Sequence, residues 1–428
     1  MTSAPHQNLS NSRGSVSHIQ DTSTLDHMAR PGKVFLGPII HFLSPSELEI
    51  IPFALLAVNH EGQVTSVHKS ANAQQLEDTL AALNISPDLV TIHRLGPSQF
   101  LIPGFVGTHN HAPQLVQHGL GPQMHFLDWL DAITFPNDPV RRCVDGFLRQ
   151  GITTASYYGS CNMSRNPLNY YRDASVEESL RVTEDCIVHI RSIGPAGRLV
   201  RHILTPRYAI SCHPELLQGL GDIACANPDL PVQTHFNEAE QEMKVTRELF
   251  PQFSNEADLY EHYGLLGKRS IMAHCCHMTE YELGRLKALD CGVAYCPAAP
   301  VRNFMRRGIK VGLGTDSGGG FSSSILDALR LAMIPSHARE VMSIDEAFHL
   351  ATVGGARVCG LGDRIGSFEV RKEFDAIVVG TQRAEQGIMT LVEEGDTLRS
   401  VFEKFVVMGD DRNVVEAYVQ GRLVKGRA

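Results

Sequence analysis

The sequence predicts an α/β protein: a TIM-type (β/α)8 barrel that lacks about one strand–helix unit, joined to a small β-sandwich domain built from both termini. Three observations lead to this prediction. Apolar strand-like runs alternate with helical stretches through the middle of the chain, and short β-type runs flank that middle on both sides. Five polar side chains also fall where successive strands end, which is where such a barrel carries its active site.

Composition limits the class of partner. The 428 residues include 38 Lys+Arg against 47 Asp+Glu, a formal net charge of −9, which argues against nucleic acid or an anionic membrane as the main partner. No apolar run is as long as a bilayer-spanning helix, and no secretory signal is visible at the N-terminus. The ten cysteines are scattered without a disulfide pattern, so we expect a reduced, cytoplasmic setting.

The two ends of the chain predict one composite domain. Residues 1–32 are rich in Ser, Thr, His, Asn and Gln, and we expect them to be disordered. Residues 33–100 contain the β-type runs VFLGPIIHF, IIPFALLAVN and QVTSVHK. Residues 368–428 contain EFDAIVVG and VVEAYVQGRLVKG. Together they predict a β-sandwich assembled from both termini.

Residues 101–367 predict the barrel. The expected strands cover 100–108, 152–158, 199–207, 230–236, 270–274, 292–296 and 310–314. The expected helices include 175–193, 238–249, 280–288 and 323–334.

These strands number seven, whereas a closed barrel of this type has eight. Between 158 and 199 there is one clear helix, preceded by the irregular SCNMSRNPLNYYRD, and the stretches 135–151 and 296–309 are short as well. A gene-model error, a splice form and a decayed paralogue would each explain the gaps.

The central stretch of the barrel reads LIPGFVGTHNHAPQ and ends in two histidines, His109 and His111. Residues i and i+2 of a strand point to the same face, so both rings can bind one ion. Imidazole is a common ligand of zinc and iron. Alone, this H-x-H pattern is weak support for a metal site.

Three more residues strengthen the pattern. His235, His274 and Asp316 each follow or end a predicted strand, at the same level of the barrel as the two histidines. Individually, a strand-end histidine is usually a hydrogen-bonded core or surface residue, and an aspartate before glycines is usually a turn or helix cap. Five such residues together predict a metal site.

At this point the sequence resembles the amidohydrolase superfamily and, within it, the guanine deaminase family. The resemblance runs from about residue 34 to the C-terminus, on the segments PGFVGTHNHAPQ, LDWLDAITFP, GITTASYY, LTPRYAISC, QTHFNEAEQE, IMAHCC, GLGTDSGGGFSSSILDALR and GSFEVRKEFDAIVVG. It implies hydrolytic deamination of guanine to xanthine and ammonia, with a purine base and water as the partners. A homodimer is compatible with the sequence.

The resemblance also implies roles for single residues. It implies His109, His111, His235 and Asp316 as ligands of one zinc ion, with His274 beside the ion or its water. It further implies Glu238 as the proton shuttle, and Gln114, Arg207 and Tyr208 as substrate-binding residues. Relatives with two metals use a bridging lysine on the fourth strand, and LVRHILTPRY contains none, which favours one metal. Iron is the less favoured ion.

The chemistry of these residue types agrees with the implied roles. Zinc polarises water, Glu238 can carry protons to a ring nitrogen and to ammonia, and Asp316 can accept the proton of the water. Arg207 offers a planar donor fork to a carbonyl. Other readings remain open for these residues: a helix N-terminal acid for Glu238, a surface ion pair for Arg207 and a loop residue for Gln114.

Two alternatives to guanine deamination remain open. The shortened loops could reshape the pocket for a related or modified base such as 8-oxoguanine. The chain could also be an inactive paralogue that keeps the metal, in which case metal would bind without release of ammonia.

Overall fold

The computed structural model describes residues 31–44, 46–70, 72–83, 85, 88–111, 120, 123–124, 152–154, 157–158, 161–165, 172–192, 200–296, 299–336, 340–381 and 392–426. The expected disordered tail lies outside these residues except for its last two positions, which begin the first strand.

The elements are numbered in chain order. The N-terminal part contains β1 (Pro31–Ser44), β2 (Glu47–Asn59), β3 (Val64–Lys69), α1 (Ala73–Ala82), β4 (Thr91–Arg94) and β5 (Gln99–Pro103). The first half of the barrel contains β6 (Phe105–Val106), β7 (Ile152–Thr154), β8 (Tyr157–Tyr158), β9 (Cys161–Asn162), α2 (Val176–Ser192), β10 (Arg201–His202), β11 (Thr205–Pro206) and α3 (Pro214–Ala226).

The second half contains β12 (Val232–Phe236), α4 (Glu240–Leu249), α5 (Glu256–His262), β13 (Ser270–His274), α6 (Glu280–Ala288), β14 (Gly292–Tyr295), α7 (Val301–Arg306), β15 (Lys310–Leu313), α8 (Ile325–Ser336), α9 (Ile344–His349) and α10 (Gly355–Val358). A π-helical turn, Leu350–Gly354, joins the last two helices. The C-terminal part contains β16 (Ala376–Gly380), α11 (Leu398–Met408), β17 (Val414–Val419) and β18 (Arg422–Lys425).

Strands from both ends of the chain form one eight-stranded sheet in the order β18-β17-β16-β5-β1-β2-β3, with β4 also paired to β1. Strand β5 runs antiparallel to β16, with Ile102 opposite Ile377. The terminal region is not purely β, because α11 packs on this sheet through Phe402 and Phe405, whose rings lie 6.5 and 5.8 Å from that of Phe100.

The strand expected over 100–108 is divided between the two sheets. Strand β5 belongs to the terminal sheet, whereas β6 pairs with β7 in the barrel. The division falls at Gly104, whose amide donates to the carbonyl of Asp375 at 2.9 Å. The preceding Pro103 has no N–H, so it donates nothing to a sheet ladder.

The barrel strands run parallel. Strands β12, β13, β14 and β15 form a continuous ladder, in which Thr234 lies opposite Met272. A bridge between Leu204 and Val232 joins this ladder to the β10–β11 stretch. The Thr108 amide donates to the carbonyl of Leu313 at 2.9 Å and thereby connects the first and last barrel strands.

The stretch from β7 to β9 has a different neighbour at each end. Strand β7 pairs with β6, whereas β8 pairs with β10 and β9 with β11. Only two residues separate β7 from β8 and two separate β8 from β9.

The helices partly match the expected ones. Helix α6 has the expected bounds, and α2, α4 and α8 lie within two residues of theirs. Helices α3, α5 and α7 are not among the expected ones, and α7 lies in the connection after β14, which was expected to be short for a helical crossover. Over the described residues, no helix combines the length and apolarity that crossing a membrane requires.

Candidate active site at the ends of the barrel strands

Four of the predicted side chains meet at one point. His109 and His111 follow β6, His235 lies in β12, and Asp316 follows β15. One ligand atom from each lies within 4.8 Å of the others. Nε2 of His109 and Nε2 of His111 are each 3.4 Å from Oδ1 of Asp316, and Nε2 of His111 is 3.1 Å from Nε2 of His235.

The second ring nitrogen of two of these histidines is held by a neighbour. Nδ1 of His235 donates to the Arg207 carbonyl at 2.7 Å, and Nδ1 of His109 contacts Oε1 of Gln233. A donor hydrogen on Nδ1 leaves the lone pair on Nε2, so both rings present Nε2 to the common centre. Gln233 was not predicted, although its position two residues before His235 puts it on the same face of the strand.

The electrostatics suit a cation. Burial lowers the pKa of His111 and of His235 well below the usual value, so both rings are neutral. Burial alone would raise the pKa of Asp316, but its contact with His109 holds that pKa below its usual range. The cluster therefore offers the neutral imidazoles of His111 and His235 and one carboxylate.

This donor set fits a divalent metal ion. Nε2 of His109 and Nε2 of His274 are buried and form no hydrogen bond with another described residue. Buried polar atoms are almost always satisfied, so these two call for a partner of another kind. Imidazole nitrogens with a carboxylate oxygen are typical ligands of zinc and of related transition metals.

A carboxyl with a raised pKa lies beside the cluster. Oε2 of Glu238 is buried, 3.6 Å from Nε2 of His274. Burial, and then the negative charge of Asp316, raise the pKa of Glu238 well above its usual value, although a hydrogen bond from Tyr208 opposes this. Glu238 can therefore carry a proton near neutral pH, as a general acid–base requires.

Two of the three predicted substrate-binding residues are buried next to each other beside the cluster. Arg207 is 2% exposed, and its guanidinium carbon is 5.4 Å from the centre of the Tyr208 ring. The Tyr208 ring stacks on His235 with centroids 4.1 Å apart. Gln114 lies outside the described residues.

The strand ends that carry these residues have an unusual backbone. Asn237, His274 and Asp316 have φ angles of 46°, 69° and 47°, in the left-handed region that residues other than glycine rarely adopt. Such strain costs about 1–3 kcal/mol per residue and tends to occur at functional sites. Gly314 allows the close approach of two strand ends, since a Cβ there would lie 3.0 Å from Cβ of His109.

A cysteine thiol also lies beside the cluster. Sγ of Cys296 lies within 4.8 Å of ligand atoms of His109 and His274, and burial raises the pKa of this thiol well above its usual value. Cys291, in contrast, belongs to the hydrophobic core, and His277 is exposed outside the cluster.

The chain is similar in sequence to a known protein family and to several of its members. A model of the amidohydrolase family matches residues 100–424. A probable guanine deaminase of Schizosaccharomyces pombe is 34% identical over 445 residues, covering 92% of this chain and 83% of that protein. A guanine deaminase of Dictyostelium discoideum is 30% identical over 448 residues, covering 92% of this chain and 98% of that protein.

A solved structure resembles the fold closely. Guanine deaminase from C. acetobutylicum, crystallised with guanine in its active site, matches with a TM-score of 0.78 and 26% sequence identity. The match covers 91% of this chain and 99% of that chain.

Proposed function

The chain belongs to the amidohydrolase family, and we propose that it hydrolyses guanine to xanthine and ammonia. The observation that carries the proposal is the pairing of Glu238, with its raised pKa, and the cluster formed by His109, His111, His235 and Asp316. Relatives at 30–34% identity over nine-tenths of the chain are guanine deaminases by name, which supports guanine as the substrate.

We further propose that the four clustered residues hold one zinc ion. When bound, zinc would polarise water enough to make hydroxide available near neutral pH. Zinc is favoured over iron because hydrolysis needs a Lewis acid and no redox change.

The protein's own residues then carry the proton transfers. Asp316, ionised at neutral pH, accepts the proton that water loses as its oxygen attacks C2 of guanine. Glu238 gives its proton to the adjacent ring nitrogen, then takes the remaining proton from the hydroxyl added at C2 and passes it to the amine, which leaves as ammonia when the C2–N bond breaks. The proton held by Asp316 then returns to Glu238, so both carboxyl groups regain their starting state. His274 would lie beside the ion or its water, with its Nε2 3.6 Å from Oε2 of Glu238.

Arg207 and Tyr208, which lie beside the cluster, would bind the substrate. The Arg207 guanidinium suits the purine carbonyl, because a planar fork can donate two parallel hydrogen bonds. Tyr208 stacks on His235 and donates a hydrogen bond to Glu238. Gln114 remains a predicted guanine contact.

A paired measurement tests this function. Purified protein should contain about one equivalent of zinc per chain, and it should convert guanine to xanthine in an absorbance assay. His235→Ala should lose both, whereas His189→Ala, an exposed helix residue, should lose neither. Stoichiometric metal without ammonia release would mean that the chain is an inactive paralogue.

A substrate panel tests the choice of base. Guanine, 8-oxoguanine, cytosine and adenine would be offered to the same preparation. Turnover of another base with guanine untouched would overturn the assignment to guanine.

We also propose that the barrel lacks one strand–helix unit. Parallel neighbouring strands need a crossover of a dozen or more residues, and two residues cannot supply one between β7 and β8. The stretch from β7 to β9 therefore fills a single barrel position, pairing with β6 at its start and with β10 and β11 at its end.

Three further expectations belong to the same proposal. The terminal sheet and its packed helix form the β-sandwich domain, the protein acts in the cytoplasm, and it forms a homodimer. The nine cysteines within the described part of the chain are all free thiols, which supports a reducing compartment. Light scattering of the purified protein would give the oligomeric state.

A further inference from the structure

Two consecutive backbone amides at the end of β12 are held by buried glutamates. The amide of Asn237 donates to Oε2 of Glu256 at 3.0 Å, and the amide of Glu238 donates to Oε2 of Glu242 at 3.1 Å. Glu242 lies in the first turn of α4, and Glu256 is the first residue of α5. Two separate helices thus fix the backbone that carries Glu238.

The two carboxyl groups are buried against each other. Glu242 is 0% exposed and Glu256 is 3% exposed, and neither forms an ion pair with a described residue. The two carboxyl groups are within hydrogen-bonding reach of each other. Oε1 of Glu242 is buried and has no hydrogen-bond partner among the described residues. The Thr246 hydroxyl donates to the second oxygen of Glu256 at 3.1 Å.

Two adjacent ionised carboxylates would repel each other strongly in a buried site. Burial raises the pKa of Glu242 to about 6 and that of Glu256 well above its usual value. One proton between the two carboxyl groups supplies the donor that their hydrogen bond needs. The pair then carries one negative charge, which the two backbone amides stabilise.

The backbone held by this pair is itself strained. Asn237 has φ 46°, and its side-chain amide donates to Oε1 of Glu282 at 2.8 Å. Burying acids without a cation is costly unless they are protonated or hydrogen-bonded. An apolar pair would leave both backbone amides buried without a hydrogen-bond acceptor.

We propose that Glu242 and Glu256 share one proton and together position Glu238 for its proton transfers, by holding the amides of Asn237 and Glu238. Both are positioning residues, because neither contacts the four-ligand cluster. The inference rests on the proposed role of Glu238 in deamination.

Amide substitutions test the shared proton. In Glu256→Gln, the amide oxygen accepts from Asn237 and the amide nitrogen donates to the Glu242 carboxylate, so the pair keeps one donor and one acceptor. The same holds in reverse for Glu242→Gln. We expect kcat within about threefold of the parent for each single variant.

The double variant Glu242→Gln/Glu256→Gln should behave differently. Each backbone amide fixes one amide oxygen, so the two amide nitrogens face each other as two donors. We expect kcat to fall by about 30-fold or more, since small displacements of a catalytic group cost up to about 10²-fold. KM for guanine and bound metal, measured by elemental analysis, should stay at the parent values.

A second substitution tests the positioning role even if the double variant fails to fold. Glu256→Met keeps the length of the side chain but removes the acceptor for Asn237, and we expect the same loss of kcat with metal retained. Glu261→Gln, at a solvent-accessible position of α5, is the matched control and should leave kcat unchanged.

The outcomes separate the two proposals. A parent protein that does not deaminate guanine would remove the proposed function. If the parent is active, and the double variant or the Glu256→Met variant keeps a kcat within threefold of the parent value, the positioning role is overturned. Equal losses in the single and double variants would overturn the shared proton.

Discussion

Glu238 is the residue whose substitution tests the proposed chemistry most directly, because it lies beside the cluster without belonging to its four-ligand set. Glu238→Gln should retain the metal and lose turnover by about 10²–10⁴-fold, the usual contribution of a general acid–base. Elemental analysis and the guanine assay measure the two effects. Metal loss as large as that in His235→Ala would show that Glu238 is a ligand.

Arg207 should affect binding more than chemistry. Arg207→Ala removes a buried, charged hydrogen-bond donor to the substrate, which should cost about 1.5–3 kcal/mol of binding free energy. This loss corresponds to a fall in kcat/KM of roughly 10- to 150-fold, mostly through a higher KM. Arg207→Lys keeps the charge without the planar fork and should recover only part of the loss. Unchanged kinetics for guanine in Arg207→Ala would place this residue outside the site.

Site residues could be predicted from the sequence where they lie at the ends of predicted strands or at a characteristic spacing. His109, His111, His235 and Asp316 could be selected because parallel barrel strands bring their ends to one level. Gln233, Cys296 and the glutamates behind Glu238 were missed because their roles depend on contacts between elements distant in sequence. A glutamine or a cysteine in an apolar run looks the same with or without such a contact.

Substituting alanine for each of two helix glycines should change the stability of the fold in opposite directions. A Cβ at Gly284, in the exposed face of α6, would meet nothing within 4 Å, whereas a Cβ at Gly355 would lie 2.8 Å from Cβ of Val106 in β6. Gly284→Ala should therefore stabilise the fold by about 0.5–1 kcal/mol. Gly355→Ala should destabilise it by about 1–3 kcal/mol, because the helix must move away from the strand.

Chemical denaturation of the two variants beside the parent measures both effects. A stabilised Gly355→Ala variant would mean that the contact with β6 relaxes without cost. A destabilised Gly284→Ala variant would show that the glycine has a role beyond the helix itself.

Elements with local signals were the ones predicted well. Helix α6 begins after Thr279, which forms a capping box with Glu282, and that signal lies within four residues. The strand over 100–108 was predicted as one element because its apolar pattern continues across Gly104. Its division depends on Asp375, more than 250 residues away, which local periodicity does not reveal.

The whole molecule should gain stability from an inserted barrel unit. Buried backbone groups without partners cost about 1–3 kcal/mol each, a large share of a typical stability of about 5–15 kcal/mol. A crossover helix and strand placed between Thr154 and Tyr157 would let β7 and β8–β9 occupy separate positions. We expect this version to melt at a higher temperature than the natural chain.

Melting both versions with and without added zinc completes the test. Zinc at about a thousand times its Kd should raise the free energy of unfolding of either version by roughly 4 kcal/mol, since it binds only the folded cluster. Equal melting temperatures and equal activity in the two versions would mean that the natural barrel already closes fully.

The pairing of β5 with β16 also orders events during synthesis. Strand β5 leaves the ribosome roughly 270 residues before its antiparallel partner, as the pairing of Pro103 with Ala376 requires. At a synthesis rate of about 5–20 residues per second, one edge of β5 stays unpaired for roughly 15–50 s. Unpaired edges are sites of aggregation, so the nascent chain should depend on chaperones until its last fifty or so residues emerge.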